Sequence, residues 1–151
     1  MLEKNGGNMK YYNAGCKVLM TIAILFFFIG LFIVFFNNTP LFSIINKLID
    51  PIFWTNEIIS NGTLRYKSFS WGYIGMLNAI WGLYLYFIVK FALMKREKWA
   101  WMCIAVSIII WFILDTWFSI SNDLYFNVIV NILFMVSFII PLILTRKILN
   151  N

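Results

Sequence analysis

Polar side chains recur at four-residue intervals inside long apolar stretches of this sequence. Asp115 is the only acidic residue within such a stretch, and Trp111 and Ser119 stand four positions before and after it. Side chains four apart lie on one face of a helix. An isolated carboxylate among apolar groups is costly, so Asp115 must be protonated, find a partner or serve a function. Its chemistry would be either hydrogen bonding to a ligand or proton exchange with a substrate.

Asparagines at matching depth extend this candidate site. Asn127 and Asn131 are four apart on the next apolar stretch, and Asn78 lies on an earlier one. We expect Asp115, Asn131 and Asn78 to converge, with Arg65 as a possible charge partner. The predicted ligand-binding residues are therefore Asp115, Asn131, Asn78, Trp111, Ser119 and Asn127. The alternative is that this polar set only joins helices to one another.

Several kinds of chemistry lack the residues they need. Histidine is absent, and the two cysteines, Cys16 and Cys103, form no C-x-x-C pair. Neither a phosphate-binding glycine loop nor a paired-carboxylate motif occurs. The net charge of +6 comes from short clusters beside apolar runs, not from a basic stripe, which argues against nucleic acid. We predict no cofactor, no metal site and no catalytic residue.

The elements that carry these residues are four apolar runs in a chain of 151 residues, 62% of them hydrophobic. About 20 residues are needed to cross a bilayer as a helix, and lipid offers the backbone no other partners. The sequence predicts an all-α bundle of four transmembrane helices forming a single membrane domain over 1–151. The predicted spans are 18–36, 71–91, 99–120 and 124–144.

Basic residues predict the orientation of these spans. Lysines precede the first span, Lys95 and Arg96 lie between the second and third, and Arg146 follows the fourth. Positive charge is enriched on the cytoplasmic side, so both termini are expected there. A bacterial inner (plasma) membrane is the expected location.

The predicted outer loop, 37–70, contains two local signals. Apolar residues from Leu41 to Ile52 recur at helical spacing, which favours a short amphipathic helix in the membrane interface. Asn61-Gly62 lies between two strand-compatible segments, 58–60 and 63–66, so that the hairpin would begin at Ile58. An ordinary loop is the equal alternative to this β-hairpin. The loop is therefore expected to hold an amphipathic helix or a hairpin.

The C-terminal two-thirds carries a set of motifs in a fixed order. They are Trp99-Ala100-Trp101, Trp111-x-x-x-Asp115-Thr116-x-x-Ser119, Asn127-x-x-x-Asn131 and Pro141-Leu142-x-Leu144-Thr145-Arg146. In these motifs the chain resembles a group of small bacterial four-helix integral membrane proteins. The resemblance implies the four-helix fold and no particular activity.

Three functions remain open from the sequence. The first is binding of a lipid or small apolar molecule in an outward-facing pocket between helices, a common place for ligand sites. The second is a structural or accessory subunit that contacts a membrane-protein partner or a second copy of itself. The third is a membrane enzyme using Asp115, which has the least support because no second catalytic group accompanies that residue.

Overall fold

The computed structural model describes residues 2–54 and 59–149, and every regular element within them is helical. The α-helices are α1 (Leu2–Phe36), α2 (Ser43–Phe53), α3 (Asn61–Phe91), α4 (Lys98–Ser121) and α5 (Tyr125–Leu149). Short 3-10 turns at Pro40–Phe42 and Leu93–Lys95 lead into α2 and follow α3. No strand occurs among the described residues, so the all-α prediction is confirmed.

Four of these helices are long and apolar enough to cross a membrane. The qualifying segments are Met9–Phe36, Asn61–Lys95, Lys98–Ser121 and Tyr125–Arg146. Each contains most or all of one predicted span, but the helices run further than the apolar runs. α1 begins at Leu2 and α3 at Asn61, because helix geometry continues through polar residues at the ends of an apolar run. Pro141 does not end α5, which continues to Leu149.

The predicted hairpin around Asn61-Gly62 is wrong, because Asn61 is the first residue of α3. The hydroxyl of Ser60 accepts a hydrogen bond from the Thr63 N–H at 3.1 Å. That is the N-cap interaction, which satisfies a backbone donor that the first helical turn leaves free. Ile58, the first residue of the proposed hairpin, lies outside the described residues.

The chain divides into two compact units, and α1 and α3 each contribute to both. The first unit combines Met1–Ile24 with Tyr84–Asn151, and the second is Leu25–Leu83. Large buried side chains of the first unit are Tyr12, Leu19, Val89, Leu93, Ile108 and Phe138. In the second unit, Phe26 packs edge-on against Trp81, with ring centroids 5.0 Å apart. Phe42 packs in the same way against Trp71, also at 5.0 Å.

A tight turn in the first unit joins α4 to α5. Asp123 takes the left-handed conformation with a φ of 58°. The Leu124 N–H donates to the Ser119 carbonyl at 2.9 Å, and the Asp123 N–H donates to the Ile120 carbonyl at 3.2 Å. This is the Schellman pattern of helix ends, in which an aspartate tolerates positive φ better than most residues. The turn brings the end of α4 beside the start of α5.

Candidate functional site

Asp115 on α4 accepts hydrogen bonds from two asparagines of α5. The Nδ2 of Asn131 donates to Asp115 Oδ2 at 2.5 Å, and the Nδ2 of Asn127 donates to the same oxygen at 2.9 Å. Asn127 also donates to the Ser119 hydroxyl oxygen at 2.8 Å. Ser119 in turn donates to the Asp115 carbonyl at 2.6 Å. The Schellman turn makes this polar cluster possible, because it places the last turns of α4 against the first turns of α5.

The cluster has one fully buried residue on each of its two helices. Asn131 and Ser119 are each 1% exposed, whereas Asp115 and Asn127 are half-buried. Asn131 reaches a further hydroxyl, that of Thr116, at 3.4 Å, and Thr116 is a contact that the sequence reasoning missed. The amide groups are thus engaged within the cluster, and their hydrogen bonds join α4 to α5.

The other predicted site residues are distributed over both units. Trp111 is half-buried on α4, and its ring lies 6.3 Å from that of Phe134 on α5. Asn78 is half-buried and Arg65 is exposed, and both lie on the part of α3 that belongs to the second unit. The convergence of Asn78 and Arg65 with Asp115 therefore stays a prediction.

An open depression lies on α4 beside Asp115. Its volume is about 380 Å³, and its lining consists of Trp111, Leu114, Asp115, Trp117 and Phe118. Both asparagines donate to Oδ2, and Oδ1 receives no hydrogen bond from the part of the chain that the structure describes. This second oxygen is the part of the cluster that could accept a hydrogen bond from a ligand. The residues bonded to the Asp115 side chain are amides, which do not titrate and so cannot act as a second acid or base.

A larger cavity, not anticipated from the sequence, lies in the second unit between α1 and α3. We call it the apolar groove. Its volume is about 580 Å³, within the roughly 300–1,000 Å³ typical of small-molecule sites. Its lining is Phe27, Leu31, Val34, Asn37, Asn38, Ser68, Phe69, Gly72, Tyr73, Met76, Ala79, Ile80 and Leu83. Its polar side chains, Asn37, Asn38 and Ser68, lie at one end.

A second, more polar cavity adjoins the groove, and we call it the polar cradle. Its volume is about 390 Å³, and it shares Asn37, Asn38 and Ser68 with the groove. The remaining lining is Thr39, Pro40, Ser43, Asn46, Leu64, Lys67 and Trp71. The sequence offered one signal for this arrangement, the polar residues Asn37 and Asn38 directly after an apolar run. It offered no signal that Ser68 and Asn46 would lie beside them.

Metal-ligating side chains do not gather in the parts of the chain that the structure describes. No set of three or more histidine, cysteine, aspartate or glutamate residues there is placed to hold an ion. Cys16 is buried and Cys103 is exposed, both as free thiols.

No family model, curated protein or solved structure matches this chain. The resemblance of its C-terminal motifs to small bacterial four-helix membrane proteins therefore stays a prediction, and function must be argued from the cavities themselves.

Proposed function

We propose that this chain is a four-span membrane protein that binds a lipid or another small amphipathic molecule in the apolar groove of its second unit. The observation that carries the proposal is the groove itself, which has apolar walls along its length and amide and hydroxyl groups at one end. An amphipathic ligand has the matching pattern, an apolar body with a polar head. Ligand sites commonly combine such walls with a few polar groups that fix orientation.

Close approach of the two helices supports a preformed groove. The backbones of α1 and α3 meet at Gly30 and Gly75, where a Cβ built on Gly75 would lie 2.7 Å from the Gly30 carbonyl oxygen. Small residues allow such contacts between membrane helices. Three residues earlier on α3, Gly72 has room, since a Cβ there would meet its nearest neighbour, Asn37 Nδ2, at 3.7 Å. The two helices are therefore in contact at Gly30 and Gly75, and the groove lies beside this contact.

The membrane setting is part of the same proposal. The membrane would be a bacterial inner membrane. Both termini would lie on its cytoplasmic side, and the 37–60 segment would lie on its outer side. In that orientation α2 would lie in the outer interface, with its exposed Ile44, Leu48 and Ile52 against lipid. The groove would then run from the outer headgroup region into the hydrocarbon.

The depression at Asp115 is a second candidate site for the same function. The observation in its favour is Asp115 Oδ1, which no described residue bonds. Asp115→Asn tests it, because the change keeps the size of the side chain and removes its charge. A bound molecule lost in Asp115→Asn would assign the site to this depression, and one retained would leave the cluster a joint between α4 and α5.

The groove is tested by filling it. Met76 lines the groove and is 44% exposed, while its neighbour Leu77 is 50% exposed and does not line it. We would compare wild type, Met76→Trp and Leu77→Trp by native mass spectrometry of purified protein in mild detergent, after titration with dioleoylglycerol and dioleoylphosphatidylcholine. The indole of Met76→Trp should occupy the groove and reduce the fraction of lipid-bound protein for both lipids. Leu77→Trp should bind as wild type does.

Equal adducts in all three proteins would contradict the proposal. Adducts lost equally in both variants would also contradict it, because loss would then follow from adding a tryptophan anywhere on this part of α3. Size-exclusion chromatography of each variant in the same detergent checks that the protein remains monodisperse.

A further inference from the structure

The three hydroxyl groups that line the polar cradle, those of Thr39, Ser43 and Ser68, all donate their hydrogen within the chain. Thr39 Oγ1 donates to the Phe36 carbonyl at 2.7 Å, and Ser43 Oγ donates to the Pro40 carbonyl at 2.6 Å. A hydroxyl has one hydrogen and two lone pairs. Both hydroxyls therefore donate their hydrogen to backbone carbonyls and can only accept hydrogen bonds from a ligand.

The residues shared by groove and cradle have their donors engaged in the same way. Asn37 Nδ2 donates to the carbonyls of Ile33 at 2.9 Å and Val34 at 3.2 Å. Ser68 Oγ donates to Asn37 Oδ1 at 2.8 Å and accepts from Asn38 Nδ2 at 2.6 Å. This chain of bonds fixes the junction between the two cavities and leaves it few donors for a ligand.

The side-chain oxygen of Asn46 is a hydrogen-bond acceptor in the cradle that receives no hydrogen bond from the described residues. This atom, Oδ1, is removed from solvent. A buried amide oxygen left without a donor is unfavourable, because its lost hydrogen bond to water is not replaced. Asn46 lies on α2 and lines the cradle, so a ligand hydroxyl in the cradle could supply the missing donor.

The charges of the cradle are balanced. Lys67 Nζ pairs with Asp50 Oδ1 at 2.5 Å, and the two side chains are 12% and 26% exposed. Lys67 also lies over the Trp54 ring, 5.8 Å from its centroid. Because Asp50 already neutralises this cation, a phosphate would gain little from it and would face the lone pairs of Asn46, Thr39 and Ser43.

We propose that the cradle binds a neutral, hydroxyl-bearing headgroup of a lipid whose acyl chain lies in the apolar groove. This inference rests on the proposed function and narrows it from amphipathic molecules to diacylglycerol-like or sugar-bearing lipids. The headgroup donates hydrogen bonds to Asn46 Oδ1 and to the hydroxyl oxygens of the cradle. Two sources share this chemistry, a glycerol hydroxyl and the hydroxyls of a sugar.

Competition among lipids with the same acyl chains isolates the headgroup. Purified protein in mild detergent receives an equimolar mixture of dioleoylglycerol, monogalactosyl-dioleoylglycerol, dioleoylphosphatidylcholine and dioleoylphosphatidic acid, and native mass spectrometry gives the adduct ratios. Wild type should favour one or both hydroxyl lipids over the two phospholipids. Asn46→Leu should reduce this preference about fivefold to tenfold, the effect of one lost hydrogen bond to a buried acceptor.

Two further variants serve as controls. Lys47→Leu adds the same side chain at the next, exposed position of α2 and should keep the wild-type ratio. Asn46→Asp keeps an acceptor in the cradle and should keep a preference for hydroxyl lipids. If the preference is lost in Asn46→Leu and kept in Asn46→Asp, the loss follows from the missing acceptor and not from mutation of position 46 in itself. A preference between the glycerol and the sugar lipid identifies the source of the hydroxyl.

Three results would overturn the inference. They are equal binding of all four lipids by wild type, a preference for phosphatidic acid, and an unchanged ratio in Asn46→Leu. Each leaves the proposed function standing as long as Met76→Trp still reduces binding of every lipid. If Met76→Trp binds as wild type does, the groove proposal fails instead.

Discussion

Asp115 shows how amide groups can hold a carboxyl group between two apolar helices. Asn127 and Asn131 both donate to its Oδ2, and Ser119 closes the cluster through the Asp115 backbone carbonyl. Asn131 is the more buried of the two asparagines, with 1% of its surface exposed. Polar contacts between membrane helices are worth about 0.6 kcal/mol on average, and up to about 1.7 kcal/mol.

Replacing Asn131 with leucine should therefore weaken the pairing of α4 with α5. Asn131→Leu keeps the number of side-chain heavy atoms and removes the shortest hydrogen bond to Asp115, so we expect the free energy of unfolding to fall by about 1–2 kcal/mol. Unfolding by sodium dodecyl sulfate in mixed micelles, followed by circular dichroism, measures this change. Ile132→Leu is the control, because Ile132 is adjacent and 49% exposed. Equal stability of the two variants would mean that the cluster contributes nothing to the pairing.

Residue spacing predicted part of this cluster. The four-residue intervals placed Asp115 with Ser119 and Asn127 with Asn131, since residues so spaced share a helix face. They did not predict Thr116 as a contact or the buried oxygen of Asn46. The helical spacing of the apolar residues from Leu41 to Ile52 predicts that Asn46 lies on the polar face of an amphipathic helix. Its burial depends on contacts with segments distant in sequence, which periodicity does not encode.

At the scale of elements, the packing of α1 against α3 depends on glycine. A Cβ on Gly30 would lie 2.5 Å from the Gly75 carbonyl oxygen, and one on Gly75 would lie 2.9 Å from the Val34 nitrogen. Both neighbours are backbone atoms, which cannot move aside as a flexible side chain would. Gly75, Ala79 and Gly82 form a stripe of small residues in the sequence of α3, and the structure adds Gly30 as their counterpart on α1.

Alanine at these glycines should separate the two helices. Gly30→Ala and Gly75→Ala should each lower the free energy of unfolding by roughly 1–3 kcal/mol, the usual cost of overpacking. Gly72→Ala is the matched control on α3, where the new Cβ has ordinary van der Waals room. Because alanine favours helix, that variant should be unchanged or more stable by about 0.5–1 kcal/mol. Detergent unfolding of the three variants compares them, and similar losses in all three would contradict the close approach.

The start of α3 shows why short sequence signals can mislead. Asn-Gly is a strong turn signal, and the residues around Asn61-Gly62 suit strands. Ser60 instead caps α3 through the Thr63 N–H, and serine is among the preferred N-cap residues. The same few residues satisfy both patterns, and the long helix that follows decides between them.

At the scale of the whole molecule, apolar side chains cover the outside of all four long helices. Phe28, Leu77, Ile113 and Leu133 are each at least half exposed, at 60%, 50%, 59% and 65%. Such a surface is unfavourable in water and favourable in lipid. The four apolar runs of the sequence therefore predict four spans. The identity of a ligand could not be predicted in this way, because the groove forms only when α1 and α3 come together.

The predicted orientation depends on the distribution of positive charge, and it can be tested directly. Lys90, Lys95, Arg96 and Lys98 surround the turn between α3 and α4, whereas the predicted outer side has only the dispersed Lys47, Arg65 and Lys67. The positive-inside rule therefore predicts that Lys95 lies in the cytoplasm and Lys47 outside. Both side chains are exposed, so cysteines at these positions should react wherever reagent can reach them.

Labelling of intact cells should therefore distinguish the two positions. In a background of Cys16→Ala and Cys103→Ala, Lys47→Cys should react with a membrane-impermeant maleimide before permeabilisation. Lys95→Cys should react only afterwards. The opposite pattern would invert the topology and turn the polar cradle toward the cytoplasm, while the groove and its lipid preference would be unaffected. Labelling of both positions in intact cells would instead show a mixed orientation, which would contradict a topology set by these lysines and arginines.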